Sequence, residues 1–199
     1  MRLVLISDTH EQHDEIKIPD GDVLIHAGDA TWIGAPKAVK KFNEWMTSLP
    51  HKHKIVIAGN HDLSIESRQC TFKYYLEDSG IEIDGIKFWG SPWTPTFGSW
   101  AFMEHRDKIG KYWDLIPHNI DVLITHGPPF GILDRTPRHQ SVGCNKLFNK
   151  VVEIRPKIHV FGHIHHSYGT FKTATTTFIN ASNCNENYEA LNPPIEIDL

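Results

Sequence analysis

The stretch that decides the fold is "LVLISDTH", residues 3–10, where four aliphatic residues run straight into Ser7, Asp8, Thr9 and His10. Continuous aliphatics over Leu3–Ile6 fit a strand covered on both faces better than one with a wet side. Alternate residues of an extended chain point the same way, roughly 6–7 Å apart, so Asp8 and His10 can converge on one point. Taken alone, the stretch reads equally well as a polar turn after a core strand.

The pattern then returns. "DVLIHAGD" (22–29), "HKIVIAGNHD" (53–62), "DVLITHG" (121–127) and "KIHVFGHIHH" (157–166) each run apolar residues into Gly with Asp, Asn or His. In largely parallel sheets, ligands collect outside the carboxyl ends of the strands, which is where these polar residues fall. Between the strands, "APKAVKKFNEWMTSLP" has Pro36 at a helix start, Val39, Phe42, Trp45, Met46 and Leu49 at three and four spacing, and Pro50 beyond the end. "TFKYYLEDSG" (71–80) predicts a helix with Phe72, Tyr75 and Leu76 on one side and Gly80 as its stop. The stretch from Cys144 predicts another with Leu147, Phe148, Val151 and Ile154 on one face, and 105–116 a weaker one. Further strands are expected at 86–93, at 175–182 and in the closing "IEIDL". Strands and helices in this order predict one layered α/β domain over residues 1–199, built on twisted sheets.

Composition narrows the function classes. A net charge of −4 over 199 residues argues against an unspecific nucleic-acid binder, and "HKHK" at 51–54 is too short a basic patch to form a track. The apolar run before Asp8 is too short for a signal peptide or a membrane span, so a cytoplasmic location and no membrane partner are the default expectations. Cys70, Cys144 and Cys184 are dispersed and odd in number, unlike a disulfide framework or a zinc knuckle. Of the 14 histidines, His51, His53 and His118 are expected simply to face solvent. No Gly-rich phosphate loop with a Lys is present, so ATP-driven chemistry has no support.

The polar residues at the strand ends are Asp8, His10, Asp29, Asn60, His126, His163 and His165. Two carboxylates, one carboxamide and four imidazoles suit a pair of five- or six-coordinate sites for Mn, Fe, Zn or similar divalent ions. Each motif alone is weak: "GNHD" reads also as a turn, and "GHIH" as a solvent-facing loop.

In combination and order, Asp-x-His, Gly-Asp, Gly-Asn-His-Asp, His-Gly and Gly-His-x-His resemble the calcineurin-like metallophosphoesterases over nearly the whole chain. "THGPP", "VGC", "RPKIHVFGHIH" and "INASNC" followed by "NPP" look most similar to the small metallophosphoesterase-domain-containing proteins, whose studied members include phosphodiesterases with a nucleotide-binding site. The resemblance implies a four-layer α/β/β/α sandwich with two packed mixed sheets. It implies that Asp8, His10 and His165 hold one metal, that Asn60, His126 and His163 hold the second, and that Asp29 bridges them. His61 would meet the substrate phosphate and Asp62 would orient or polarise it. "GDATWIG" lacks the acid that some relatives carry soon after the bridging Asp.

Two divalent ions, with manganese the working choice, bring +4, and Asp8 and Asp29 leave +2, or +1 with one bound hydroxide. Such a centre suits a monoanionic phosphodiester attacked in line by a metal-bridging hydroxide. The expected activity is therefore hydrolysis of cyclic nucleotides or similar small phosphodiesters. A phosphomonoesterase or phosphoprotein phosphatase is the rival enzyme, and a metal-stabilised nucleotide-binding module the rival of another class. Any oligomeric partner is left open.

Trp93, Phe97, Trp100 and Phe130 are candidates to stack on a base, or else to seal loops against the core. Arg135, Arg138 and His139 are candidates to meet a phosphate or ribose, or else belong to a solvated loop. Gly127 and Gly162 are expected to let backbone approach a bound phosphate, and Gly28 and Gly59 hold the equivalent positions before Asp29 and Asn60; tight turns alone would also explain all four.

Overall fold

The computed structural model describes residues 1–63 and 73–199. In chain order the strands are β1 (Arg2–Ile6), β2 (Val23–Ala27), β3 (His53–Ile57), β4 (Tyr74–Tyr75), β5 (Ser79–Ile83), β6 (Ile86–Ser91), β7 (Thr94–Pro95) and β8 (Met103–Glu104). They continue as β9 (Val122–Thr125), β10 (Ile158–Phe161), β11 (Gly169–Lys172), β12 (Thr177–Asn180) and β13 (Ile195–Asp198). The helices are α1 (Pro36–Ser48), α2 (Gly110–Trp113) and α3 (Asn145–Ile154).

Two mixed sheets form the centre. One has the order β13-β1-β2-β3-β4, the other β11-β12-β10-β9-β6-β5, and a short β7-β8 pair stands apart. In the first, β1 through β4 are parallel and β13 runs antiparallel at the edge. In the second, β12, β10, β9 and β6 are parallel, with β11 and β5 antiparallel at either edge.

Alternation along β1 explains the layering. Leu3 and Leu5 point into a core shared with Val122, Ile124, Ile158 and Val160 of the facing sheet. Val4 and Ile6 point outward onto Phe42 and Met46 of α1. On the other side Leu123 and Phe161 meet Trp113 of α2 and Leu147, Val151 and Ile154 of α3. The result is a four-layer α/β/β/α sandwich, in which each fully buried aliphatic or aromatic side chain contributes roughly 1.5–3 kcal/mol.

The helices at 36–48 and 145–154 lie where the apolar spacing puts them. Pro36 opens α1, and Arg155 closes α3 in the left-handed region ahead of Pro156. Phe148 lies off the buried stripe of α3 and is exposed. The helix expected over 71–80 does not form in its described part, while Thr71 and Phe72, like Cys70, lie outside the described residues. Tyr74–Tyr75 instead pair in parallel with Ile55–Val56, and Ser79–Ile83 form a hairpin with Ile86–Gly90. Pairing to a buried strand overrides the three-and-four spacing. The candidate at 105–116 reduces to the four residues of α2. His51, expected at the surface, is buried, with its Nε2 3.0 Å from the Pro19 carbonyl. No helix of the described residues is long and apolar enough to cross a membrane.

Candidate metal centre

The carboxyl ends of the parallel strands of both sheets meet at one seam. A bridge pairs Ser7, just after β1, with Ser182, just after β12, and the Asn183 amide donates to the Ser7 carbonyl at 2.8 Å. Around this seam the strands deliver Asp8 and His10 after β1, Asp29 after β2 and Asn60 after β3 from one sheet. From the other come His126 after β9 and His163 and His165 after β10. Asp8, His10, Asp29, Asn60 and His126 are buried.

The side chains fall into two triads whose ligand atoms lie within 4.8 Å of one another, Asp8–His10–His165 and Asp29–His126–His163, and a third group within the same range, His10–Asp29–His61, links them. In the first, His165 Nε2 lies 3.3 Å from Asp8 Oδ1 and 3.4 Å from His10 Nε2. In the second, His126 Nε2 lies 3.2 Å from Asp29 Oδ2 and 3.0 Å from Asn60 Oδ1. Asp29 Oδ2 is also 4.0 Å from His10 Nε2, so this carboxylate stands between the triads.

Tautomers show whether a cation fits. His126 Nδ1 donates to the Ala27 carbonyl at 2.9 Å and His165 Nδ1 to the Asn185 carbonyl at 2.9 Å. Each ring is thereby held with Nε2 aimed at oxygen acceptors, a geometry that closes around a proton or a metal ion. Burial alone would lower His126, but the Asp29 carboxylate outweighs it and raises the imidazole to about 9. Burial would raise Asp29, yet His126 holds it down at about 2. Burial likewise works against the Asp8 carboxylate, and His165 keeps it well below the usual range. His10 and His163 are lowered by burial to about 4 and about 3, so both are neutral with lone pairs to offer. The nitrogen and oxygen donors suit divalent first-row ions.

Four of these residues take left-handed backbone conformations: Asp8 (φ 52°), His10 (φ 40°), Asp29 (φ 55°) and His163 (φ 68°). Such turns cost on the order of 1 kcal/mol each and persist where surroundings over-determine them. Asp8 accepts hydrogen bonds from the His163 amide and from Ser182 Oγ, each at 2.9 Å. A Cβ on Gly162 would overlap the Asp8 carboxylate, and one on Gly59 the Asp29 carboxylate. Those two glycines therefore make room for candidate ligand side chains, and at Gly162 that takes the place of the room for phosphate expected from the sequence.

His61 and Asp62 part company. The His61 amide donates to Asp29 Oδ1 at 2.8 Å, and its Nδ1 donates to the Trp32 carbonyl at 2.8 Å, which leaves Nε2 as the ring atom open to a substrate. The Asp62 carboxylate does not pair with that ring. It is buried and accepts from the amides of Ala30, Thr31 and Gly59 and from Thr31 Oγ1, at 2.8–3.3 Å. Burial and the neighbouring Asp29 raise it to about 6. Asp62 is thus a staple between the loop after β2 and the loop after β3.

A cleft of about 440 Å³ opens above the centre, lined by Asp29, His61, His163 and His165 at its floor and by Phe97, Trp100, Arg106, Thr136 and Tyr188 on its wall. Trp100 packs on the His61 ring at 4.3 Å and Phe97 on His163 at 5.2 Å. Trp93 turns away, stacked on Tyr112 at 3.8 Å with its Nε1 donating to Asp78. Phe130 and Arg135 are not among the lining residues, and Arg138 and His139 are exposed. Residues the sequence did not single out include Trp32, 4.7 Å from the His10 ring, and Tyr188, 5.0 Å from His10 and 5.1 Å from His165. Arg106 and Ser182 were equally silent.

The chain is 46% identical to human metallophosphoesterase domain-containing protein 1, and equally to its mouse counterpart, over all of this chain and 71% of theirs. One solved structure superposes with a TM-score of 0.70 over 90% of this chain and 89% of its own, at 17% identity. The phosphopantetheinyl hydrolase of Mycobacterium tuberculosis superposes at 0.61 over 97% and 95%, at 13% identity. These two likenesses concern the fold. The family model of the calcineurin-like phosphoesterase superfamily domain matches residues 1–188, and the chain belongs to that superfamily.

Proposed function

We propose that the protein is a two-metal phosphodiesterase acting on cyclic nucleotides or similar small phosphodiesters. The observation that carries the preference for a diester is the charge of the cleft. Two carboxylates, Asp8 and Asp29, stand among seven ligand candidates, so two divalent ions would leave a modest positive excess suited to a single negative charge. Arg106, the one Lys or Arg among the described residues that line that wall, is committed elsewhere. Its Nη1 donates to the Gly143 carbonyl at 2.8 Å and its Nη2 to the Val142 carbonyl at 2.7 Å. The second charge of a monoester would find no free guanidinium among the described residues there, while Trp100 and Phe97 offer flat faces to a base.

In this reading Asp8, His10 and His165 hold one ion, Asn60, His126 and His163 the other, and Asp29 serves both. The ions would supply the acidity that turns a water into a nucleophile at neutral pH and the charge that polarises the phosphoryl oxygens. The protein's own part is positioning. His61, oriented by the Trp32 carbonyl, presents Nε2 to the phosphate, where it stabilises developing charge or passes a proton to the departing oxygen. The Asp62 staple keeps Asp29 and Asn60 in register with each other.

The test is the specificity constant of manganese-reloaded protein on matched 2',3'-cyclic, 3',5'-cyclic and open mononucleotides, with Asp29→Ala as blank. Preference for one cyclic diester is expected. Preference for the open monoester would favour the phosphatase reading, and turnover no higher than the blank would favour a binding module.

A further inference from the structure

Two buried histidines lie outside the ligand set yet directly behind it, one in each sheet. His26 sits on β2, fully buried and packed against Phe42 of α1 at 4.9 Å. Its Nδ1 accepts from the Gly28 amide at 3.3 Å, which assigns the ring proton to Nε2. That Nε2 donates to Thr9 Oγ1 at 3.0 Å. Thr9 stands between left-handed Asp8 and His10, and Gly28 immediately precedes left-handed Asp29. One imidazole therefore ties two strained ligand turns together.

His159, on β10, repeats the device in the other sheet. It is fully buried between Phe161 at 5.0 Å and Phe178 at 5.8 Å. Thr125 Oγ1 donates its only proton to the Gly127 carbonyl at 2.8 Å, so His159 Nε2, 2.9 Å from the same oxygen, must be the donor in that pair. Its Nδ1 has no partner. Thr125 and Gly127 flank His126. A neutral ring with its proton on Nε2 again fixes a hydroxyl that fixes the turn of a ligand loop.

We propose that His26 and His159 are positioning residues, each using a neutral Nε2–H imidazole and a threonine hydroxyl to set one ligand-bearing turn: His26 and Thr9 for the Asp8–His10–His165 triad, His159 and Thr125 for the triad containing His126. Neither ring touches the cleft, and neither offers a lone pair to an ion. This assignment rests on the two-ion reading above. Partners that orient metal ligands carry roughly 10- to 100-fold in metal affinity, and the two struts predict that this effect divides by triad.

Equilibrium dialysis against manganese tests the division. In a His126→Ala background, where the Asp8–His10–His165 triad remains complete, adding Thr9→Val is expected to weaken binding roughly 10- to 100-fold, whereas adding Thr125→Val leaves it unchanged. In a His10→Ala background the pattern reverses, with Thr125→Val weakening and Thr9→Val silent. Thr9→Ser and Thr125→Ser, which keep the hydroxyl, restore affinity to the level of their backgrounds. Thermal melts of the same proteins separate positioning from general stability. Equal losses at both triads, tracking the melting temperature, would overturn the assignment, as would valine variants that bind as their backgrounds do. Wild-type protein that takes up no manganese would overturn the two-ion reading itself.

Discussion

The floor of the cleft and its wall are built by different means. The floor residues sit one to four positions beyond parallel strand ends and are mostly buried, and Asp8, His126 and His165 are held there by a hydroxyl, a backbone amide or backbone carbonyls. The wall residues Phe97, Trp100 and Tyr188 come from connecting segments and are exposed at their edges. A floor made this way has one geometry, set by the sandwich. A wall made of loop aromatics can change with its loops, so under the proposed function the difference separates what would do the chemistry from what would select the molecule it is done to.

The largest break in this contrast is expected from Asp29→Ala. Because this carboxylate stands between the triads, the substitution should lower manganese content and turnover together, the latter by roughly 10³-fold or more, the upper scale of losing one preorganised electrostatic group. Metal analysis beside kcat checks it; full metal content with low turnover would remove Asp29 from its bridging role. His61→Ala comes next. It should keep both ions and cost about 10²–10⁴ in kcat, the range for a proton-transferring side chain.

Acid stability sharpens the same comparison. Burial lowers His26 and His159 to about 3, below the ordinary value near 6.5 that an unfolded chain shows. The unfolded chain then binds protons that the folded one refuses, so stability falls as pH drops from about 6.5 towards 3. The slope is up to about 1.4 kcal/mol per pH unit for each ring. Urea melts between pH 7.5 and 4.5 should show it, and His159→Leu should flatten the slope where Trp100→Ala does not. The smallest effect belongs to the wall itself. Trp100→Ala should raise KM for a nucleotide diester roughly tenfold, the scale of one stacking contact, with kcat retained, whereas Trp93→Ala should lower the melting temperature and leave KM alone.

Floor and wall also differed in what could be read from the chain. Asp8 and His10, Asn60, and His163 with His165 follow apolar runs at short, fixed offsets, so local alternation carries them to a strand end. Tyr188 reaches the centre only because the seam folds a distant segment back beside β1, and nothing near it in sequence announces it; Ser182 stands at the end of an expected strand, but a hydroxyl there does not stand out as a site residue. Trp93 and Trp100 share one Pro- and Gly-rich stretch and looked alike. Asp78 and Tyr112, from elsewhere in the chain, draw the first away from the cleft. Tyr74–Tyr75 were misplaced for the same reason, a long-range pairing with β3 that spacing cannot foresee.

One feature reaches beyond the cleft. Asp8 of one sheet is gripped by Ser182 and the His163 amide of the other, and His126 of the second sheet is anchored on the Ala27 carbonyl of the first. The sandwich thus works as a caliper whose jaws are the two sheets, and the ligands are mounted one set on each jaw. Leu5, Ile25, Ile124 and Val160, which fill the space between the jaws, set the opening at the tips. In the proposed two-ion reading core volume becomes a catalytic variable, because the same side chains would set both the tightness of packing and the spacing of the ions.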